Sequence, residues 1–236
     1  MAETMTDFTR EREAMVERQL KRRGIDEQPI LDAFLAVPRE AFVGDAQAHL
    51  AYGDHPLPIA AGQTISQPYI VGLMIQAAEI GRGDVVLEVG AGSGYAAAVV
   101  SRIARKVIGI ERVPELVRSA RERLQRLGFN NVAIARERMR RLGYDNVRIV
   151  EADGTRGWEA DAPYDAILAA ASGSHVPLQW VEQIADGGRI VMPVGEPNWV
   201  QKLIKVTRGP AGNLISEDLG GVRFVPLIGE EGWTDG

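Results

Sequence analysis

Apolar positions change their spacing several times along the chain, and each change marks an element. Residues 9–23 (TREREAMVERQLKRR) read as a helix, with Thr9 in the capping place and Gly24 as the stop. Residues 28–37 (QPILDAFLAV) read as a second helix, ended by Pro38. Residues 52–63 are rich in Pro, Gly and Ala and read as an extended loop; helical sequence resumes over 68–79 (PYIVGLMIQAAE). DVVLEV (84–89) is then a nearly continuous apolar run, as a strand covered on both faces requires. It enters GAGSG (90–94) and a helix through Ala104. KVIGIE (106–111), NVRIV (146–150) and YDAILAAA (164–171) are further strands, with a helix from Pro114 and another around 177–185. GGRIVMPVG (187–195) is a turn and a strand.

Strands alternating with helices call for right-handed crossovers and a parallel sheet. The tail differs. WVQKLIKVTR (199–208) alternates apolar and polar, Gly209 to Asn213 is a turn, and VRFVPLIG (222–229) reads as a last short strand. The expected fold is α/β and Rossmann-like: a mostly parallel, doubly wound sheet with an antiparallel C-terminal edge and an N-terminal helical cap. One domain is expected over 1–236, with the cap in 1–80, the core in 81–195 and the β addition and tail in 196–236. The closing EEGWTDG is expected to fray.

One stretch is written twice. Residues 120–134 (ARERLQRLGFNNVAI) and 135–149 (ARERMRRLGYDNVRI) are tandem near-copies. The first continues the helix begun at Pro114. The second leads directly into Glu151, Ala152 and Asp153, so Asp145 to Val150, not Asn130 to Ala135, is expected in the sheet. The surplus, roughly 129–143, is expected as a helical extension or a second short helix (about 135–142). It should project at the sheet's N-terminal edge, opposite the edge where open α/β sheets bind ligands.

Composition narrows the function classes. No apolar run approaches the ~20 residues that cross a bilayer, and MAETMTDFTRERE is polar, with no signal-peptide core. Net charge is −5, so no overall basic footprint for nucleic acid exists. The basic stretch Arg118 to Arg141 is interleaved with glutamates and reads as a solvated helix face. Neither a membrane nor a nucleic-acid partner is expected, and the missing signals imply a cytoplasmic protein. The chain has no cysteine, which removes disulfides, thiol nucleophiles and Cys-zinc sites. With three histidines, a His-rich cluster is not expected either, so no metal is assigned.

Three strand ends carry candidate chemistry. LEVGAGSGY (87–95) places a glycine turn where a ligand can approach the backbone closely. Its G-x-G-x-G spacing is not the G-x-G-x-x-G of dinucleotide folds, and Glu88 would repel a phosphate but attract an ammonium. A positively charged ligand such as S-adenosyl-L-methionine fits. Glu111, at the next strand end, can accept ribose hydroxyls, or else cap the helix at Pro114. Asp153 in EADG can receive an adenine amino group, or else make a turn.

GQTISQPYIVGLM (62–74), together with VPREAF (37–42), AYGDHPLPI (51–59), the motif around Glu88 and VRFVPL (222–227), closely resembles protein-L-isoaspartate O-methyltransferases, in order from about Met15 to Gly229. The resemblance implies an enzyme that moves a methyl group from S-adenosyl-L-methionine to the α-carboxylate of isoaspartyl residues in damaged proteins, which promotes their return through a succinimide to aspartate. It implies Ser66 at the reacting carboxylate, with Thr64 and Ile65 in the same pocket. Gly90, Gly92, Gly94, Glu111, Asp153 and Gly154 match cofactor positions, and Val222 and Arg223 border the peptide site. Such chemistry needs no general base, because an α-carboxylate with a pKa of ~3.3–3.7 is already ionised at neutral pH. It needs alignment, which a serine hydroxyl can supply. Ser66 or Thr64 would equally serve to cap the helix opening at Pro68. His55 and His175 read as loop residues. AAASGSHVP (169–177) departs from the family, lacking an acid before its proline. That departure leaves room for a different carboxylate substrate, and a silent cofactor-binding relative is the remaining alternative.

Overall fold

A computed structural model of the chain describes residues 8–128 and 146–234. The N-terminal part is helical. Helix α1 (Thr9–Met15) continues through a π-turn to Leu20 and a 3-10 turn to Arg23, and stops where Gly24 turns left-handed at φ 89°. Helix α2 (Gln28–Ala36) follows. The expected extended loop contains a small antiparallel hairpin, β1 (Leu57–Pro58) with β2 (Thr64–Ile65), before helix α3 (Pro68–Ala77).

The core alternates as expected: β3 (Val85–Val89), α4 (Tyr95–Ser101), β4 (Lys106–Glu111), α5 (Pro114–Arg126), β5 (Val147–Glu151), β6 (Tyr164–Ala169), α6 (Leu178–Gln183) and β7 (Ile184–Val194). Two strands complete the sheet, β8 (Gln201–Arg208) and β9 (Leu214–Val222). The order is β5-β4-β3-β6-β7-β8-β9. The first five pair in parallel and the last two antiparallel. From β3 the chain winds outward to β5, then crosses to the other side through β6. The switch therefore lies between β3 and β6, where open sheets of this kind present a ligand crevice.

Every β3 residue is buried, because both sheet faces are covered. Val86 packs into the layer formed by the N-terminal helices, α4 and α5. Val85, Leu87 and Val89 pack into the opposite layer with Tyr164 and Trp180. Alternation thus sends Glu88 to the α4 side.

Three expectations are corrected. The last strand lies at 214–222, not 222–229. Strand β9 is an edge strand with mostly exposed residues, so it lacks the apolar alternation that marks a half-buried strand. The segment 223–229 makes only isolated bridges, Ser172 to Pro226 and Ile228 to Trp233. Pro226 cannot donate to a ladder. Strand β7 begins at Ile184, directly after α6. The tail is anchored rather than frayed as far as Trp233, whose indole N–H donates to Ser172 O at 2.9 Å.

The repeat is divided between its two copies. The first supplies the end of α5, and the second supplies β5, paired with β4 from Val147 to Glu151. The expected extension over 129–143 lies outside the described residues.

Candidate active site

The glycine turn is a backbone device. Gly90, Gly92 and Gly94 have φ of 80°, 52° and 86°, the left-handed region that glycine enters without steric cost. The N–H groups of Gly90 and Ala91 both donate to Ile110 O at 2.9 Å, tying the turn to the end of β4. Glu111 continues that tie. Its Oε2 accepts from Gly92 N and its Oε1 from Val113 N, each at 2.9 Å. From α5, Arg123 donates to Ser93 O at 3.0 Å. The turn is therefore held from two elements before any ligand arrives.

A cleft at the switch point, with about 900 Å³ of empty space including its mouth, is lined by Thr64, Ile65, Ser66, Glu88, Gly90, Gly92, Glu111 and Gly154, among others. Most of the residues singled out in the sequence thus meet in one place. Val222 and Arg223 line a neighbouring groove instead, with Pro56, Ile70, Trp199, Val200 and Phe224. Cleft and groove share Thr64, Ser66, Ala170, Val225 and Pro226. Ser66 thus stands at the junction of the two cavities.

Two expected residues do not line the cleft. Gly94 packs under α5, where an added Cβ would stand 3.4 Å from Ala120 and Leu124. Asp153 caps the turn Gly154–Arg156: its Oδ1 accepts from Thr155 N at 2.9 Å and from Thr155 Oγ1 at 2.7 Å. Its Oδ2 accepts from Glu230 N at 2.9 Å. Partial burial pushes this carboxyl up, but those donors outweigh it and hold it below its ordinary value. Asp153 therefore makes the turn, and its neighbour Gly154 lines the cleft. Gly154 is glycine because a Cβ there would meet Val89 Cγ1 at 2.5 Å.

The capping alternative for Ser66 and Thr64 is resolved as well. The N-cap of α3 is Gln67, and no side chain bonds to that helix end. The main-chain carbonyl of Ser66 accepts from Arg39 Nη2 at 2.8 Å.

Several lining residues escaped the sequence reading. Ala170, Ala171 and residues 225–228 wall the cleft, and Trp199 stands 74% exposed in the groove. An exposed tryptophan at the head of an alternating strand was the available signal.

A protein-family profile described as Protein-L-isoaspartate(D-aspartate) O-methyltransferase matches residues 10–232. The chain belongs to this family. A Pelobacter propionicus protein-L-isoaspartate O-methyltransferase is 50% identical over 222 residues, 94% of this chain and 92% of its own. A Rhodopseudomonas palustris protein-L-isoaspartate O-methyltransferase is 46% identical over 234 residues, 99% of this chain and 89% of its own. A Plasmodium falciparum beta-aspartate methyltransferase, solved in complex with S-adenosyl-L-homocysteine, superposes with a TM-score of 0.73 at 28% identity, covering 92% of this chain and 98% of that one.

Within this O-methyltransferase family member, the departing loop lies beside the site rather than in it. Ala170 and Ala171 line the cleft, whereas residues 172–175 line neither cavity. Ser172 pairs instead with the cleft wall, donating to Val225 O and accepting from Leu227 N at 2.8 Å each.

Glu88 is the most perturbed acid of the cleft. Burial pushes its carboxyl up to about 8, the Glu111 carboxylate adds to that push, and the Ala97 N–H opposes it. In the unfolded chain the same group titrates near 4.5. Between those values the native state keeps a proton that the unfolded state has released. Its contribution to stability is present in full below 4.5 and is lost as pH rises through about 8. Glu88→Gln, which stays neutral, is therefore expected to flatten the fall in melting temperature from about pH 5 to pH 8. Equal slopes in the two proteins would refute this placement of the proton.

Proposed function

We propose that the chain transfers a methyl group from S-adenosyl-L-methionine to the α-carboxylate of L-isoaspartyl residues in damaged proteins, initiating their repair. The observation that carries this reading is the position of Ser66, on the boundary between the glycine-turn cleft and the exposed groove. A donor bound in the first and a peptide bound in the second would meet there.

The residues present fit the donor. Glu88 Oε2 is buried without a hydrogen-bond partner beside the cleft, a place for an ammonium group. Each Glu111 oxygen accepts one main-chain N–H, and a carboxylate with about four acceptor sites has capacity left for ribose hydroxyls. Ile110, Val113 and Leu227 give the cleft apolar wall for a purine, next to the Gly154 backbone. When bound, S-adenosyl-L-methionine supplies a methyl group activated by a sulfonium.

The chain's own task is alignment. Its cleft lining holds no His or Lys among the described residues, and none is needed, because the acceptor is ionised at neutral pH. Ser66 Oγ can donate to one carboxylate oxygen and leave the other free to attack. Holding reactants in line is worth up to ~7–11 kcal/mol of barrier. Thr64 and Ile65 shape the same pocket, and Val222 and Arg223 border the peptide.

The proposed setting is the cytoplasm, with protein rather than nucleic acid as partner; the net charge of −5 supports the latter. An isoaspartyl peptide and its aspartyl twin, assayed side by side for methyl incorporation, test the reading. Methylation of the isoaspartyl peptide alone is expected, and equal rates would sink it.

A further inference from the structure

Arg39 is a charged residue with no exposed surface. It opens a 3-10 turn, Arg39–Phe42, far from the glycine turn in sequence. Its donors go to main-chain carbonyls on two other segments: Nε to Ala51 O and Nη2 to Ser66 O, both at 2.8 Å. Its guanidinium carbon lies 4.7 Å from the centroid of the Tyr95 ring. Tyr95 is itself buried, begins α4 directly after Gly94, and lines the cleft. Phe42 meets the same ring edge-on at 5.5 Å. One side chain thus joins the Ser66 segment to the first residue after the glycine turn.

A buried guanidinium is costly to desolvate. Burial indeed pulls Arg39 down from its ordinary value, although Tyr95, Tyr52 and Asp54 oppose the shift. An apolar side chain of similar volume would fill the space without that cost. What it could not do is hold two carbonyls in a rigid, planar fork while stacking on an aromatic ring. The cost marks a geometric requirement. Of the two segments it bonds, the one with such a requirement is that of Ser66.

We propose that Arg39 is a positioning residue for methyl transfer: its guanidinium fixes the Ser66 segment relative to Tyr95, and so relative to the glycine turn. The inference rests on the assignment of Ser66 as the residue that holds the acceptor carboxylate. Arg39 lines neither cavity, and its bond to the Ser66 carbonyl is what carries its effect to the acceptor. Lysine at this position keeps the charge but has one nitrogen, which cannot reproduce the fork.

The experiment is a double-mutant cycle of Arg39→Lys and Ser66→Ala. It reads kcat on an isoaspartyl peptide, together with calorimetric binding of S-adenosyl-L-homocysteine. Arg39→Lys is expected to lower kcat roughly 10- to 100-fold, as a misplacement near 1 Å does. Affinity for S-adenosyl-L-homocysteine should change less than about threefold. The double variant should be slower than Ser66→Ala alone by less than about threefold, because both changes remove one interaction. A merely structural arginine would lower binding and turnover together, and its loss would multiply with that of Ser66→Ala. Either result overturns the clamp. An unchanged kcat in Ser66→Ala overturns the Ser66 assignment and the clamp with it; a slow Ser66→Ala with multiplying losses overturns the clamp alone. If Arg39→Lys does not fold, Arg39→Gln carries the same cycle, without a charge to bury. Failure of both to fold would overturn the proposal, by showing that Arg39 serves the whole domain.

Discussion

Replacing Glu111 by alanine is expected to raise the dissociation constant for S-adenosyl-L-homocysteine by about a hundredfold or more. Two main-chain donors, Gly92 N and Val113 N, now end on this carboxylate at 2.9 Å. Glu111 is only 6% exposed, so water is poorly placed to replace it. A buried donor left unsatisfied costs ~1–3 kcal/mol, and every ~1.4 kcal/mol is tenfold in an equilibrium constant. Without the carboxylate the turn loses its preset shape, and the ribose hydroxyls lose their proposed acceptor. Glu111→Gln keeps one acceptor oxygen and should fall between, at about tenfold. Titration calorimetry on the folded variants checks both values. A change of less than about threefold in Glu111→Ala would mean that the turn is set by Gly90, Ala91 and Arg123 without it.

Ser66→Ala should lower kcat on an isoaspartyl peptide by about a hundredfold, ~2.7 kcal/mol of barrier, while leaving cofactor affinity nearly unchanged. The separation is what the local structure demands. Helix α3 takes its N-cap at Gln67 without side-chain help, so the helix loses nothing. The bond to Arg39 is made by the main-chain carbonyl of residue 66, so the substitution retains it. Only the hydroxyl disappears. Single-turnover rates and cofactor titrations on the same preparation decide the matter. Parallel losses in both would show that Ser66 serves the donor and not the acceptor.

The parts legible in the sequence were those where one physical demand acts alone. Strands β3 and β4 are largely apolar because both sheet faces are covered, and they read plainly. Strand β9 lies at the edge with little to bury, so nothing in its composition announced it. VRFVPL looks like a strand but spends its residues on walling two cavities. Asp153 shows the limit for single residues: a carboxylate at a strand end can bind a ligand or cap a turn, and both use the same residue type. The turn itself depends on the tail, whose Glu230 N–H comes from far along the chain. Arg39 was hidden for a different reason. Periodicity separates apolar from polar positions, and a charge buried to hold main-chain carbonyls looks like any surface charge. Ser66 was reached through the resemblance of GQTISQP to a family, since its residue type alone left helix capping open. The repeat was resolved by adjacency: the copy that runs into Glu151 is the one that supplies β5.

The wall formed by Val225, Pro226, Leu227 and Ile228 has a consequence for the order in which the protein becomes competent. During synthesis the glycine turn and Glu111 leave the ribosome while most of the sheet is still unmade. The opposite side of the cleft is built from residues translated well after them, in a segment that folds back to bond Ser172 and Asp153. A nascent chain therefore has the turn before it has the far wall of the cleft. A product interrupted before Val225 carries the glycine turn without that wall. The cleft is complete once residues 225–228 are in place.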